Sequence, residues 1–141
     1  MVVPGRDCIG IGVGAVVFDG GGCVFLARRG HAARNEIGAW EFPGGSVRLG
    51  ERLEDAVRRE FREEYGLEIS LTSLLGVFDH ILVSESQHWV SVTYLARSLP
   101  GVPAIREPGK CSEIGWFSLS SLPVPLSKIT CANVFALKGA H

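Results

Sequence analysis

The sequence predicts an α+β fold in which strands and helices form a layered α/β/α sandwich. Three observations support this prediction: short apolar runs separated by Gly-rich or polar turns, one strongly amphipathic helix near the middle of the chain, and an apolar C-terminal segment. The chain has 141 residues, of which 46% are apolar, so we expect one domain over residues 1–141.

Charge and apolar content exclude several classes of protein. The chain has 14 basic and 15 acidic residues and a net charge of −1, which argues against binding to nucleic acid polymers or anionic membranes. No apolar run approaches the roughly 20 residues of a membrane span, and residues 1–7 lack the pattern of a signal peptide. We therefore expect a cytoplasmic protein whose widely spaced cysteines are free thiols.

The first part of the chain predicts a β-hairpin, a loop and a short strand. Residues 8–18 and 23–29 are apolar runs around a Gly-rich turn, and residues 40–42 follow a polar loop that we expect to be a mobile rim. Three glycines alternate along the first strand and so share one face: Gly10, Gly12 and Gly14. A face without side chains indicates close approach of another backbone or of a ligand, or a bulge.

A helix is predicted from Leu53 to Tyr65, because this stretch lacks Gly and Pro and stops before Gly66. An apolar stripe at helical spacing is formed by Leu53, Ala56, Val57 and Phe61. Glu60 and Glu64 fall within this stripe, on the face that should be buried. Neither glutamate has a basic neighbour three or four positions away on the helix.

These glutamates belong to a cluster of carboxylates that needs a counter-charge. Half-buried carboxylates side by side either take up protons or hold a cation. With Glu63, the cluster offers hard oxygen ligands and no flanking His or Cys, which favours Mg²⁺ and allows Mn²⁺. The alternative is an arginine from elsewhere in the fold that neutralises the pair. The sequence therefore predicts a metal site on Glu60, Glu63 and Glu64.

The second part of the chain predicts further strands and a closing helix. The predicted elements are strands over 67–83, 87–97 and 112–117, a short helical turn over 118–122, and a C-terminal helix from Pro125 onward. The stretch 98–112 contains three Pro and two Gly and is predicted to be a loop. Too little chain follows it to build a second core.

The stretch from Gly45 to Leu67 resembles the Nudix box, GX5EX7REUXEEXGU, in which U is apolar. Every fixed position is filled, by Gly45, Glu51, Arg59, Glu60, Phe61, Glu63, Glu64, Gly66 and Leu67. A match at so many fixed spacings is far more specific than a lone Gly-rich motif. Residues 40–45, Trp-Glu-Phe-Pro-Gly-Gly, also resemble the strand and turn that precede the box in MutT-like members.

The resemblance, which covers about residues 8–122, implies a fold, an activity and a metal site. The implied fold is the Nudix sandwich, with a mixed sheet between helices. The implied activity is Mg²⁺-dependent hydrolysis of a nucleoside diphosphate linked to another group. Glu60 and Glu64 are then expected to bind the metal, with help from Glu63 and the backbone carbonyl of Gly44.

The resemblance also implies roles for residues around the metal. Arg59 is expected to orient the glutamates and to pair with Glu51. The general base is expected to be Glu63 or Glu113, and Glu107 stands behind Glu113 as a further acidic residue. Sequence alone leaves the choice between ligand and base open.

Substrate contacts are expected from both sides of the box. Arg29 is the preferred candidate for substrate phosphates, with a solvated strand end as the alternative. Gly45 lets the backbone approach a ligand closely. Three aromatic residues are candidates for stacking on a base, although a core position is the commoner role of a buried aromatic: Phe42, Phe78 and Trp89.

The markers of several Nudix subclasses are not visible in this sequence. The region near Leu82 lacks the Pro of the ADP-ribose type, and residues 83–85 lack the Tyr of the diadenosine polyphosphate type. Elimination favours MutT-like hydrolysis of a nucleoside triphosphate, oxidised or not, to a monophosphate and pyrophosphate. The alternatives are an ADP-ribose, nucleotide-sugar or dinucleoside polyphosphate pyrophosphatase, or a non-catalytic nucleotide-binding module. The expected partner is a small nucleotide, and a homodimer, common in the family, stays open.

Overall fold

The computed structural model describes residues 1–139, in which seven strands form one mixed sheet between two α-helices. The strands, in chain order, are β1 (Gly10–Phe18), β2 (Val24–Arg29), β3 (Trp40–Glu41), β4 (Gly44–Ser46), β5 (Ile69–Leu82), β6 (Gln87–Ser98) and β7 (Cys111–Phe117). The helices are α1 (Leu53–Tyr65) and α2 (Lys128–Gly139). This arrangement confirms the predicted α/β/α sandwich. Positions 140 and 141 of the predicted domain lie outside the described residues.

Strand β1 connects the two halves of the sheet. It runs parallel to β6, and β6 pairs antiparallel with β5. On the other side β1 is antiparallel to β2 and to β4, while β3 and β7 both pair with β2. Strands β2 and β4 therefore lie along the same edge of β1, and β4 is the one that lies beside the glycines of β1.

The sheet separates two hydrophobic cores. Alternate residues of β1 and β2 point to opposite faces of the sheet, so each strand contributes to both cores. One core packs the buried stripe of α1 against the sheet and includes Val13, Phe25, Ala56, Val57 and Phe61. The other packs α2 against the opposite face and includes Val16, Leu26, Trp40, Val134 and Leu137. The apolar stripe predicted for α1 is therefore the face that the helix buries.

The turn predicted at residues 43–45 is in part a strand, because Gly44–Ser46 forms β4 against β1. Gly44 lies opposite Gly14, and a Cβ on Gly44 would overlap the backbone of Val13 and Gly14. The glycine-rich face of β1 thus meets another backbone, which was one of the predicted alternatives. The helical turn expected at 118–122 is a hydrogen-bonded turn, in which the Ser121 N–H donates to the Ser118 carbonyl at 2.9 Å.

The loop at 30–39 is anchored by hydrogen bonds, contrary to the mobile rim expected from its composition. Asn35 Nδ2 donates to Gln87 Oε1 at 2.9 Å, and Gln87 Nε2 donates to the Arg34 carbonyl at 2.8 Å. Arg29 Nε donates to the Asn35 carbonyl at 2.7 Å. Because these partners come from β2 and β6, the loop is fixed to two strands of the sheet.

The structure also bears on the expected thiols. All four cysteines, which lie within the described residues, are free: Cys8, Cys23, Cys111 and Cys131. Neither described helix is long and apolar enough to cross a membrane.

Candidate active site

A cleft of about 430 Å³ opens beside the C-terminal half of α1. The glycine-rich start of β1 and strand β4 form its floor, because these segments carry little side chain toward it. Its rim comes from three further parts of the chain, which are the loop at 30–39, residues 107–111 and one face of α2.

Helix α1 presents Glu60, Glu63 and Glu64 to this cleft. Glu60 is 14% exposed and Glu63 is 47% exposed, so the carboxylates run from the core edge out to solvent. Burial and the negative charge of Glu60 raise the pKa of Glu64 well above its usual range. The helix therefore concentrates negative charge at one end of the cleft.

Arg59 holds this carboxylate cluster together. Its Nε and Nη2 donate to the two oxygens of Glu51 at 2.6 and 3.0 Å, which is the ion pair that the sequence predicted. Its Nη1 donates to Glu60 Oε1 at 2.8 Å and to Glu63 Oε2 at 3.3 Å, and its Nη2 also donates to the Ser46 carbonyl at 3.0 Å. Glu60 thus has a basic partner that helical spacing did not predict, because a long guanidinium reaches a neighbour one position away.

Gly45 brings the floor of the cleft against α1. A Cβ at this position would overlap the carboxylate of Glu60. Only glycine allows β4 to pass so close to this carboxylate without displacing it. Gly44, the neighbouring residue of β4, also lines the cleft.

The chain between β6 and β7 crosses the end of α1 and brings a further carboxylate to the cleft. The N–H groups of Ala104 and Arg106 donate to the Tyr65 and Glu64 carbonyls, each at 3.0 Å. The next residue, Glu107, lines the cleft, and its Oε1 lies 3.3 Å from Lys110 Nζ. Glu107 therefore occupies the position that the sequence analysis preferred for Glu113.

Glu113 does not line the cleft, which corrects the expectation that it assists the reaction. It lies on β7 opposite Arg28 of β2, and its Oε1 accepts a hydrogen bond from Arg28 Nη1 at 3.0 Å. Neighbouring residues of a strand point to opposite faces, so Arg28 and Glu113 share one face while Arg29 lines the cleft. The Glu113 side chain is exposed on that other face.

Of the arginines that line the cleft, Arg29 and Arg34 are held in different ways. Arg29, the predicted phosphate ligand, is largely buried and donates through Nη1 to Glu41 at 2.8 Å. Arg34 is exposed, and two uncharged groups hold it: the Ser46 hydroxyl, 2.7 Å from its Nη1, and the Trp89 ring, whose centroid lies 4.8 Å away. Partial burial and the charge of Arg29 lower the pKa of Arg34. Arg34 is therefore the cation better placed to receive an anion.

Two of the aromatic candidates for base stacking, Phe42 and Trp89, line the cleft but are largely buried. Phe42 packs in the core that α2 covers. Trp89 is 6% exposed, because its indole packs against Gly5 and Gly10 and its Nε1 donates to Gln87 Oε1 at 2.9 Å. Phe78, on β5, is not among the cleft residues. Burial leaves Phe42 and Trp89 little aromatic face for a base, so their stacking roles stay predictions.

Helix α2 contributes a polar group that sequence analysis missed. Asn133 lines the cleft one turn after Ile129 and is 3% exposed. Its Oδ1 is buried and has no hydrogen-bond partner among residues 1–139. A lone Asn on an apolar helix carries no local sequence signal, so only the fold reveals it. Buried amides are normally paired, and this one points to a ligand.

The donor set fits a divalent cation. All of the clustered acidic groups offer hard oxygen ligands, which suits Mg²⁺ or Mn²⁺. Burial and the charges of neighbouring carboxylates raise the pKa of Glu64, so a bound cation would favour its ionised form. Within the described residues, no three acidic, His or Cys side chains already converge on one point. Small rotations of the glutamate side chains would therefore accompany binding.

Comparison with known proteins decides the family. The model of the NUDIX domain matches residues 9–134. The chain belongs to the Nudix family. A solved MutT NUDIX hydrolase from Burkholderia pseudomallei is 37% identical, with a TM-score of 0.83 over 91% of this chain and 97% of that one. The resemblance of the Nudix box, including its MutT-like character, is confirmed.

Curated relatives of this Nudix chain act on different nucleotides. An 8-oxo-dGDP phosphatase from Homo sapiens is 31% identical over 97 residues, which are 67% of this chain and 28% of that protein. An ADP-ribose pyrophosphatase from Methanocaldococcus jannaschii is 34% identical over 86 residues, which are 61% of this chain and 50% of that protein. The chain thus spans half or less of the length of these relatives.

Proposed function

We propose that this protein hydrolyses a phosphoanhydride bond of a nucleoside diphosphate linked to another group. The preferred substrate is a nucleoside triphosphate, oxidised or not, which is cleaved to a monophosphate and pyrophosphate. The observation that carries the proposal is that Glu60, Glu63, Glu64 and Glu107 all line one cleft, which Arg34 also lines. Four carboxylates cannot receive a polyphosphate unless cations stand between them.

The proposed cofactor is Mg²⁺, with Mn²⁺ as the alternative. Glu60, Glu63 and Glu64 would hold it with the backbone carbonyl of Gly44. When bound, a divalent ion would neutralise phosphate charge and make the attacking water more acidic. Arg59 and Glu51 would keep the carboxylates in place, since the guanidinium bonds to Glu51, Glu60 and the Ser46 carbonyl at once.

Residues around this end of the cleft would supply the general base and the phosphate ligand. We assign the general base to Glu107, with Glu63 as the alternative, because Glu107 lies at the cleft without a bond to Arg59. The base takes a proton from water while the water oxygen attacks phosphorus. The bond from that phosphorus to the bridging oxygen breaks, and pyrophosphate leaves with the bridging oxygen. Arg34 would bind the phosphates, a role first expected of Arg29.

The nucleoside end of the cleft is defined by Asn133. Its buried, unpartnered amide oxygen would accept a hydrogen bond from the edge of a base. Exchanging Asn133 for the apolar isostere Leu should leave stability unchanged or raise it, because an unpaired buried polar group is removed. The same exchange should weaken nucleotide binding about tenfold and alter the order of preferred bases.

An ADP-ribose or nucleotide-sugar hydrolase is the second candidate. One curated relative is named an ADP-ribose pyrophosphatase, and the same acidic end would serve any nucleoside diphosphate linked to another group. A non-catalytic binding module is the third, although binding alone would not require so many clustered carboxylates.

The test is a product analysis with purified protein and Mg²⁺. The panel contains nucleoside triphosphates, oxidised dGTP and dGDP, ADP-ribose and diadenosine tetraphosphate, and products are identified by mass. Monophosphate plus pyrophosphate from a triphosphate supports the first candidate, and cleavage of ADP-ribose alone supports the second. Glu64→Gln is the matched variant and should fold but lose most activity. Turnover of this variant within a few-fold of wild type would overturn the site assignment.

A further inference from the structure

Glu36 forms contacts with three other parts of the chain around the nucleoside end of the cleft. It lies in the loop at 30–39, and its side chain is only 14% exposed. Its backbone N–H donates to the Glu85 carboxylate at 3.2 and 3.3 Å. Its own carboxylate reaches α2 and β5. A charged side chain this buried is retained only where its partners compensate the loss of water.

The carboxylate of Glu36 binds the first turn of α2. Its Oε1 accepts a hydrogen bond from the Lys128 N–H at 3.0 Å. Lys128 is the first residue of α2, so this N–H has no partner within the helix. A negative charge at this end is also favoured by the helix dipole. Burial alone would raise the pKa of Glu36, but the contacts with His80 and with the Lys128 N–H outweigh burial and lower it. The loop is thereby attached to the helix that carries Asn133.

The second oxygen of the same carboxylate faces β5. Glu36 Oε2 lies 3.3 Å from His80 Nε2, and the His80 side chain is buried and lines the cleft. One carboxylate thus contacts both α2 and β5 from the loop that presents Arg34 and Asn35. This carboxylate therefore fixes the distance between the loop and α2, at the end of the cleft that lies away from α1.

The backbone of Glu36 supports the same conclusion. Its φ is 44°, in the left-handed region that a glutamate seldom adopts. Glycine would adopt this conformation without strain, so the position favours glycine unless the side chain has a task. The hydrogen bond from Lys128 and the contact with His80 supply that task.

We propose that Glu36 is a positioning residue that holds the loop bearing Arg34 against the helix bearing Asn133, and so sets nucleotide affinity and base preference without taking part in phosphate chemistry. This inference rests on the proposed function, because it assumes that the cleft receives a nucleotide. Glu36 itself contacts neither the carboxylates of α1 nor Glu107. We therefore expect its loss to change KM and to leave kcat nearly unchanged.

The test compares two glycine substitutions in one loop. Glu36→Gly removes the carboxylate while keeping a residue suited to the positive φ, and Ile37→Gly adds similar backbone freedom at an exposed neighbour. We expect Glu36→Gly to raise KM, and the Kd of a non-hydrolysable nucleoside triphosphate, about tenfold. Mn²⁺ affinity and kcat should stay within about twofold of wild type. Ile37→Gly should change none of these quantities.

Three results would overturn the inference. Equal losses in both variants would mean that loop flexibility alone matters. A fall in kcat together with Mn²⁺ affinity would place the effect at the metal end, and unchanged binding would remove the role altogether. Glu36→Gln is the conservative variant, because its amide oxygen can still accept from Lys128. It should recover most of the affinity. If Glu36→Gly fails to fold, Glu36→Asn replaces it, because Asn tolerates a positive φ and its side chain is shorter by one methylene.

A separate readout keeps this inference distinct from the proposed function. If wild type hydrolyses and binds no nucleotide, the proposed function fails on wild type alone. Amide hydrogen exchange then tests, without any ligand, whether Glu36 holds the loop against α2. Faster exchange at Lys128 and at residues 34–36 in Glu36→Gly, with α1 unchanged, supports the positioning role. Unchanged exchange at both segments contradicts it.

Discussion

Arg59 forms a bidentate ion pair with Glu51, in which Nε lies 2.6 Å from one carboxylate oxygen and Nη2 lies 3.0 Å from the other. Two parallel bonds fix the plane of the guanidinium as well as its position. These bonds lower the pKa of Glu51 to about 2, so the carboxylate stays ionised throughout the neutral range. With its plane fixed, Arg59 presents Nη1 to Glu60.

The first prediction concerns this support. Glu51→Gln keeps the shape of the side chain but replaces one acceptor oxygen by a donor, so Arg59 loses its two-point contact. We expect Mn²⁺ affinity to fall about tenfold, with a parallel fall in kcat, because the orientation of Glu60 is no longer fixed. Titration of the metal and steady-state kinetics check this. Glu68→Gln is the control, because it breaks another ion pair on the same helix, with Arg62, away from the cleft. Equal effects in both variants would contradict the prediction.

The second prediction distinguishes the roles of Arg29 and Arg34 in the cleft. Arg29→Ala leaves Glu41 buried without its partner, so the free energy of unfolding should fall by about 3 kcal/mol. Arg34→Ala removes an exposed cation held by uncharged groups, so stability should change little while KM rises about tenfold. Chemical denaturation and kinetics on both variants decide between the roles. A KM increase confined to Arg29→Ala would restore Arg29 as the phosphate ligand.

Local sequence predicted α1 correctly and placed Glu60 and Glu64 on one face of it. The bounds of α1, its buried stripe and its left-handed end at Gly66 all depend on residues close together in the chain. The pair of Arg59 and Glu51 was also predictable, because the box fixes their spacing. Such features need no knowledge of how distant strands pair.

The structure departs from the sequence predictions where distant parts of the chain meet. Glu113 was expected in the cleft, but the pairing of β7 with β2 turns its side chain to the other face. Trp89 was a stacking candidate, but Gly5 and Gly10 lie against its indole. Glu36 has no local signal at all, because its partners Lys128 and His80 are distant in sequence. Register and long-range contacts decided each case.

The third prediction concerns the thiols and pH. Burial raises the pKa of the Cys111 thiol to about 11, from a usual value of 9.0. At pH 8 the folded protein should therefore be alkylated at the exposed Cys8 and Cys131 and not at Cys111. Mass spectrometry of digested protein checks this, with denatured protein as the control. Labelling of Cys111 at the rate of Cys8 would contradict it.

The raised pKa of the Cys111 thiol also determines how the stability of the folded protein changes at high pH. Between about pH 9 and 11 the unfolded thiol is ionised while the folded one keeps its proton. The folded state then binds more protons, so its stability falls as pH rises through this window. Cys111→Ala should show a weaker pH dependence of the free energy of unfolding there. An unchanged slope would mean that the thiol titrates alike in both states.

The fourth prediction contrasts two glutamates that are six positions apart. Glu107 lines the cleft beside Lys110, whereas Glu113 pairs with Arg28 on the other face of β7. Glu107→Gln should lower kcat at least a hundredfold if this carboxylate is the base, with KM nearly unchanged. Glu113→Gln should stay within about twofold of wild type, since it loses only an exposed ion pair.

Steady-state kinetics as a function of pH distinguish a base from a metal ligand at Glu107. Loss of the base should remove the acidic limb of the kcat profile, while Mn²⁺ affinity stays near that of wild type. A large loss of Mn²⁺ affinity in Glu107→Gln would instead make this residue a ligand and leave Glu63 as the base. A kcat defect in Glu113→Gln that equals or exceeds that of Glu107→Gln would overturn the assignment. The carboxylate on the far face of β7 would then have to reach the reaction through a different arrangement of the strand.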